Sequence, residues 1–211
     1  MSIAHLRINY SKGGLRRSDL VVNAMGQFKT WFDDAVRAEI LEPNAMTLST
    51  VDESGQPSCR TVLLKIADER GFSFFTNYES RKGTEIATNP RVALTFFWPA
   101  LERQICIRGR CTKLSREENQ LYFSSRPIGS QLGAWVSQQS SQVPGRDFLE
   151  SKLTEVTTKF GNQSIPVPDQ WGGYVVCPSS VEFWQGRPNR LHDRFLYTSE
   201  AGAWRIERLS P

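Results

Sequence analysis

Apolar residues recur every three to four positions in one early stretch and every second position through most of the rest, and that switch divides the chain. Phe28, Trp31, Phe32, Ala35, Val36 and Ile40 share a face at helical spacing, predicting a helix over about 25–41 that Pro43 follows. Alternation then predicts strands over 45–51 and 58–66 around a turn at 52–56, and a third over 72–76 after a turn at 68–71. A short helix fits 80–88, stopped by Asn89-Pro90. Strands over 91–98 and 103–114 follow. Ser115 and Glu118 form a capping-box pattern that opens a helix ended by Pro127. Helical pieces at 131–137 and 146–160, a proline-bearing loop over 163–170, and strands over 171–177, 181–184, 191–197 and 204–209 complete the chain.

The pattern makes about nine strands with helices scattered irregularly among them. Strict strand–helix alternation does not occur, which disfavours a doubly wound parallel sheet. A mainly β, antiparallel barrel with peripheral helices fits better. Residues 1–20 are polar and basic, with Arg7, Lys12, Arg16, Arg17 and Gly13-Gly14, and predict a mobile arm ahead of one domain over 21–211.

Composition narrows the chemistry. Twelve Phe, six Trp and five Tyr suit a β-rich core or a site that stacks a ring ligand. The net charge of +4 is mild and there is no arginine-rich tail, so a phosphorylated small molecule fits as readily as nucleic acid. The four cysteines, at 59, 106, 111 and 177, make no C-x-x-C pair and only two His are present, so no metal site is expected. The sequence reads without a signal peptide or an apolar run long enough to span a bilayer. A reduced, cytoplasmic protein is the expectation.

Several stretches are candidates for holding an anionic ligand. The run Arg60, Thr61, Val62, Leu63, Leu64, Lys65 has a cation at each end. A regular strand would put them on opposite faces, so either a bulge intervenes or the two serve different parts of a ligand. After Thr76, Arg81 and Lys82 fall at a predicted helix start. Free amides there attract anions, while adjacent cations oppose the helix dipole unless an anion sits close by. Tyr122 and Arg126 share a helix face with Ser130 following, a set suited to a phosphate monoester, although a solvated helix end would show the same residues. Gln104, Gln139 and Ser140 have the chemistry to read heteroatoms on a ring, as a surface loop also would.

Arg190, His192 and Arg194 alternate with Leu191 and Asp193, so a strand would put two permanent cations and a titratable imidazole on one face. Such a face suits a planar anionic ligand undergoing proton-coupled change, and an exposed basic strand edge would look the same. No Ser-His-Asp, Cys-His or paired-carboxylate arrangement stands out. That argues against hydrolysis and for a cofactor that carries the hard chemistry.

Taken in order, the segments carry a resemblance. They are HLR…Y-x-KGGLRR at 5–17, TVDE-x-GQP at 50–57, R-x-VLLK at 60–65, FFTN-x-ESRKG at 74–83, NPRVAL at 89–94 and LERQ at 101–104. YF-x-SRP at 122–127, SQ-x-GAWVS-x-QSS at 130–141, WGGY at 171–174, EFWQG and NRLHDRFLY follow. The chain resembles the pyridoxamine 5′-phosphate oxidase family over nearly its whole length.

The resemblance implies an FMN-binding split β-barrel and a homodimer with FMN at the subunit interface. It implies oxidation of pyridoxamine 5′-phosphate or pyridoxine 5′-phosphate to pyridoxal 5′-phosphate by O2, with a hydride passing from substrate C4′ to flavin N5 and hydrogen peroxide released. By similarity, Arg60, Thr61, Val62, Leu63, Leu64, Lys65, Phe75, Thr76, Arg81 and Lys82 would hold FMN. Gln104, Gln139, Ser140, Trp184 and Arg194 would complete that site. Lys65, Tyr122, Arg126 and Ser130 would grip the substrate phosphate. Arg190, Leu191 and His192 would lie at the substrate ring, with Arg190 and His192 catalytic, and Arg7 to Tyr10 would fold over as a lid. Phe75 stands where some members have Tyr and Ser124 where His is common; neither change removes a charge from the phosphate grips. The alternative is a split-barrel protein that binds flavin or pyridoxal phosphate without oxidase activity. The substrate-side set of Tyr122, Arg126, Ser130, Arg190 and His192 argues against it. RNA binding through Arg108, Arg110, Lys113 and Arg116 lacks interleaved stacking aromatics.

Overall fold

Asn23 starts the first helix by accepting hydrogen bonds from the amides of Met25 and Gly26, and α1 (Ala24–Arg37) buries Phe28, Trp31 and Ala35. The computed structural model describes residues 1–6 and 8–211. After α1 come β1 (Ala45–Val51), β2 (Pro57–Leu63), the short β3 (Ile66–Asp68) and β4 (Gly71–Asn77). Then follow α2 (Arg81–Thr88), β5 (Arg91–Trp98), β6 (Arg103–Lys113), α3 (Arg116–Ser125), α4 (Ile128–Val136) and α5 (Arg146–Phe160). β7 (Trp171–Gln185), β8 (Asp193–Glu200) and β9 (Ala203–Leu209) close the chain.

The strands pair antiparallel in one curled sheet of order β2-β1-β5-β6-β7-β4-β3. β7 is the fork. Its first residues pair with β4 and its last with β8, while β6 runs along its other edge. Alternation along β1 sends Met46 and Leu48 inward, and Phe72, Phe74, Phe96, Phe183, Phe195 and Tyr197 join them under α1. A second apolar cluster of Phe123, Leu132, Phe160, Ile165 and Trp171 fastens α3, α4 and α5 to one flank of the barrel.

Three boundaries depart from the sequence pattern. The strand expected over 58–66 is two, because Leu64 donates its amide to the Asn44 carbonyl and Lys65 donates to that of Ser73. The strands expected over 171–177 and 181–184 are one. Pro178 sits opposite Gly109, where the β6–β7 register shifts, so its missing N–H breaks no regular ladder. The strand expected over 191–197 begins only at Asp193.

Residues 10–20, expected within a mobile arm, are docked on the barrel. Leu15 is buried at 5% exposure. The amides of Ser11 and Lys12 donate to the Glu102 carboxylate, and that of Leu15 donates to Asp193. Arg7 lies outside the described residues.

Candidate functional site

Two cavities collect most of the residues that the sequence singled out. The first, of about 480 Å³, is lined by Arg60, Thr61, Val62, Leu63, Lys65, Phe75, Thr76, Lys82, Tyr122, Arg126, Ser130, Gln139 and Trp171. The step between β2 and β3 explains how Arg60 and Lys65 meet there despite their odd spacing. The chain changes hydrogen-bonding partner at Leu64, which turns its own side chain into the core and leaves Lys65 facing the cavity. In place of the bulge that the spacing left open, the strand is interrupted.

Ser80 caps α2, accepting from the Gly83 amide, and so fixes Lys82 in the first turn. Lys82 is only 8% exposed and donates to Gln139 Oε1 at 2.7 Å, an atom that also accepts from Thr76 Oγ1 at 3.1 Å. Burial, and then the neighbouring Arg60 guanidinium, push the Lys82 ammonium down to about 8. Behind the cations lies one acid. Glu85 pairs with Arg60 at 3.2 Å and accepts from Ser58 and Thr50. Its burial raises the carboxyl, but the hydrogen bonds from Thr50, Ser58 and Arg60 outweigh that and hold it below its ordinary range.

The far wall is aromatic. Phe75 stacks on Tyr122 with ring centroids 3.9 Å apart, and Trp171 lies parallel to both. Arg126 packs its guanidinium 4.8 Å from the Trp171 ring centre, and its Nη1 is buried with no hydrogen-bond partner among the described residues. Burial pulls its pKa down from the usual arginine value. A buried donor without an acceptor is costly, and here it borders a cavity with three further cations. This donor set suits a phosphate dianion.

The second cavity, of about 600 Å³, is lined by Leu6, Ile8, Asn9, Tyr10, Trp184, Arg187, Asn189, Arg190 and His192. Trp184 and His192 lie 4.6 Å apart between ring centres, and Tyr10 meets both edge-on. The Arg187 amide donates to His192 Nδ1 at 3.1 Å, so the neutral imidazole carries its proton on Nε2.

Here the sequence pattern needs correction. Arg190, His192 and Arg194 do not alternate along one strand. Arg190 ends a 3-10 turn, and it and Asn189 adopt left-handed backbone angles before β8 begins. Arg190 and His192 still meet at one cavity, whereas Leu191 is 69% exposed and lines neither. Arg194 instead aligns with Gln104 and Trp184 across β6, β7 and β8, on a half-exposed sheet face, where Glu182 pairs with it at 2.8 Å. Arg81 and Ser140 are exposed and line neither cavity, and Leu64 belongs to the core. The residue-by-residue reading also passed over Glu85 and Trp171. Glu85 had a signal, lying three residues after Lys82 on the same helix face.

The two cavities share no lining residue, and β7 reaches the first at Trp171 and the second at Trp184. Among the described residues, no cluster of His, Cys, Asp and Glu could hold a metal ion, and no helix is long and apolar enough to cross a membrane.

Known proteins give the geometry a context. A family model described as pyridoxamine 5′-phosphate oxidase matches residues 32–160. Another, described as the pyridoxine 5′-phosphate oxidase C-terminal dimerisation region, matches residues 171–211. A pyridoxine/pyridoxamine 5′-phosphate oxidase of Cupriavidus pinatubonensis is 56% identical over 210 residues, covering 99% of this chain and 99% of that protein. One from Burkholderia mallei is 54% identical over 213 residues, covering 100% and 99%. Among solved structures, PhzG from Burkholderia lata, in complex with tetrahydrophenazine-1-carboxylic acid, matches with a TM-score of 0.87 at 28% identity, covering 92% of this chain and 95% of its own. A pyridoxamine 5′-phosphate oxidase-related, FMN-binding protein from Nostoc punctiforme shares the fold, with a TM-score of 0.72 at 16% identity over 91% and 100% of the two chains.

Proposed function

The chain belongs to the pyridoxamine 5′-phosphate oxidase family, and we propose on that premise that its two cavities are the two halves of one composite active site. The protein is an FMN-dependent oxidase that converts pyridoxine 5′-phosphate and pyridoxamine 5′-phosphate to pyridoxal 5′-phosphate, and its fold is the antiparallel split barrel. Its C-terminal strands form a dimerisation region. The assignment of individual residues is our reading of the geometry.

The cation-lined cavity fits the phosphorylated ligands. Four cations, Arg60, Lys65, Lys82 and Arg126, face it with one carboxylate behind them, and one guanidinium nitrogen lacks an acceptor. Arg60 and Lys82, with Thr76 and Gln139 alongside, would hold the FMN phosphate. Lys65, Tyr122, Arg126 and Ser130 would hold the substrate phosphate across the same space. Bound FMN supplies the two-electron acceptor that O2 regenerates.

The second cavity serves the substrate ring. Arg190 and His192 orient it, and Tyr10 closes one side against water. With Nδ1 occupied by the Arg187 amide, neutral His192 has an Nε2–H to offer the ring. Because the cavities are separate within one chain, a second copy must bring its Arg190–His192 cavity to the first copy's phosphate grips. The Gln104, Trp184 and Arg194 face would meet the flavin at that seam. A cytoplasmic location belongs to the same reading, since the four cysteines are free thiols.

The observation that carries the assignment is Arg126, a half-buried cation whose Nη1 is buried without an acceptor against an aromatic wall. Mixing FMN-loaded protein with pyridoxine 5′-phosphate in air should yield aldehyde and peroxide together. A colourless protein that takes up no FMN, or a flavoprotein that yields neither product, would refute the assignment.

A further inference from the structure

Glu102 is a buried carboxylate. It is 6% exposed, and among the described residues its carboxylate is held by backbone rather than by a basic side chain. Its carboxylate accepts from two consecutive backbone amides, Ser11 at 3.2 Å and Lys12 at 2.9 Å. Burying a charge is expensive unless hydrogen bonds compensate, so those two amides account for its satisfaction.

Its backbone is equally committed. Glu102 follows a 3-10 turn in the left-handed region, φ 54°, which costs a residue with a Cβ. Its carbonyl accepts from the Gly186 amide at 2.8 Å and from Gln185 Nε2 at 3.2 Å, fastening it to the end of β7 beside Trp184. Gly186 is where the parts meet. A Cβ there would lie 2.7 Å from Tyr10 Cγ and 3.0 Å from Glu102 Cβ, so only glycine lets Tyr10 and Glu102 approach together.

Farther along, the N-terminal segment is held independently. Leu15 is buried with its amide on Asp193, and Arg187 donates to the Gly13 carbonyl at 2.6 Å. Before Tyr10 the described residues form no regular element, and Ile3, Leu6 and Ile8 are exposed. Glu102 thus grips the first two residues after Tyr10, the aromatic side chain that walls the ring cavity, where the irregular stretch joins the docked segment.

We propose that Glu102 is a positioning residue for the substrate: by holding the Ser11 and Lys12 amides, it keeps Tyr10 against Trp184 and His192. This rests on the reading that the cavity at His192 receives the substrate ring. Glu102 lines neither cavity and acts through Tyr10.

Glu102→Gln keeps the shape and removes the charge. In the FMN-loaded enzyme it should raise KM for pyridoxine 5′-phosphate about tenfold, with kcat changed less than about twofold, as expected for lost ground-state binding. Tryptic cleavage after Lys12 should quicken while FMN affinity holds. Ser11→Pro, which deletes one of the two amide donors at an exposed position and leaves the Lys12–Gly13 bond cleavable, should reproduce both effects and covers the case in which the Glu102 variant folds poorly. On a Tyr10→Ala background, Glu102→Gln should add nothing further to KM. Native KM and native cleavage in both variants would overturn the proposal, as would KM effects that add to Tyr10→Ala. Faster cleavage with native KM would also overturn it, by showing that the grip exists but the cavity does not receive the ring.

Discussion

The cation-lined cavity and the His192 cavity are built by opposite means. The first is cut into the barrel and its helical flank: its grips come from β2, β4, the capped start of α2 and the α3–α4 stretch, and hydrogen bonds from Lys82 to Gln139 and from Arg60 to Glu85 set two of the cations before any ligand arrives. The second is assembled from a turn with two left-handed residues and an N-terminal segment tied on by two carboxylates. Preformed sites bind without an ordering cost, whereas assembled ones gain selectivity by closing only when filled. On the reading proposed above, phosphate affinity belongs to the barrel and ring orientation to the loops.

Changes in the two regions should therefore have separable effects. Arg190→Ala should lower kcat/KM about a hundredfold, since misplacing the ring costs that much, while flavin absorbance stays with the protein. An unchanged rate would remove Arg190 from the site. Glu85→Gln should weaken FMN binding about tenfold by freeing Arg60, read by the fluorescence of released flavin. Simple Coulomb reasoning predicts tighter binding once a negative charge is deleted, so the sign of the change decides whether Glu85 orients or merely opposes. Gly186→Ala should raise KM for the substrate severalfold by displacing Tyr10, with FMN retained; equal losses in both would mean the two regions are not independent.

The mildest test is pH. Lys82 loses its proton at about 8, so FMN affinity should fall as pH rises above that, by at most about tenfold per unit. A flat titration between pH 7 and 9.5 would place the phosphate away from Lys82. Stability of the apo-protein should run the other way. The unfolded chain holds this proton up to 10.5, so folding gains as pH climbs from about 8 towards that value.

What the sequence made legible follows the same division. Period-two alternation located β1, β5 and β6, and Ser115 with Glu118 announced α3 by a box that the structure forms. The cation-lined cavity was largely readable because its residues sit on such regular elements. The step at Leu64 was not, because it depends on Asn44 and Ser73, partners remote in sequence. The region before β8 misled for a similar reason: Arg190, His192 and Arg194 alternate in the sequence, but Pro188 and the left-handed pair Asn189 and Arg190 keep that stretch out of the sheet. Glu102 carried no periodic signal at all, since its partners are backbone amides some 90 residues earlier.

The length of β7 has a genetic corollary. Thirteen steps separate Trp171 from Trp184, on the order of 40 Å of extended backbone, too far for one flavin to bridge. On the composite-site reading a lone protomer is not competent, and a defect in either half is rescuable. Crossing a chain crippled at Arg126 with one crippled at Arg190 should yield hybrid pairs in which one catalytic unit inherits both lesions and the other inherits none.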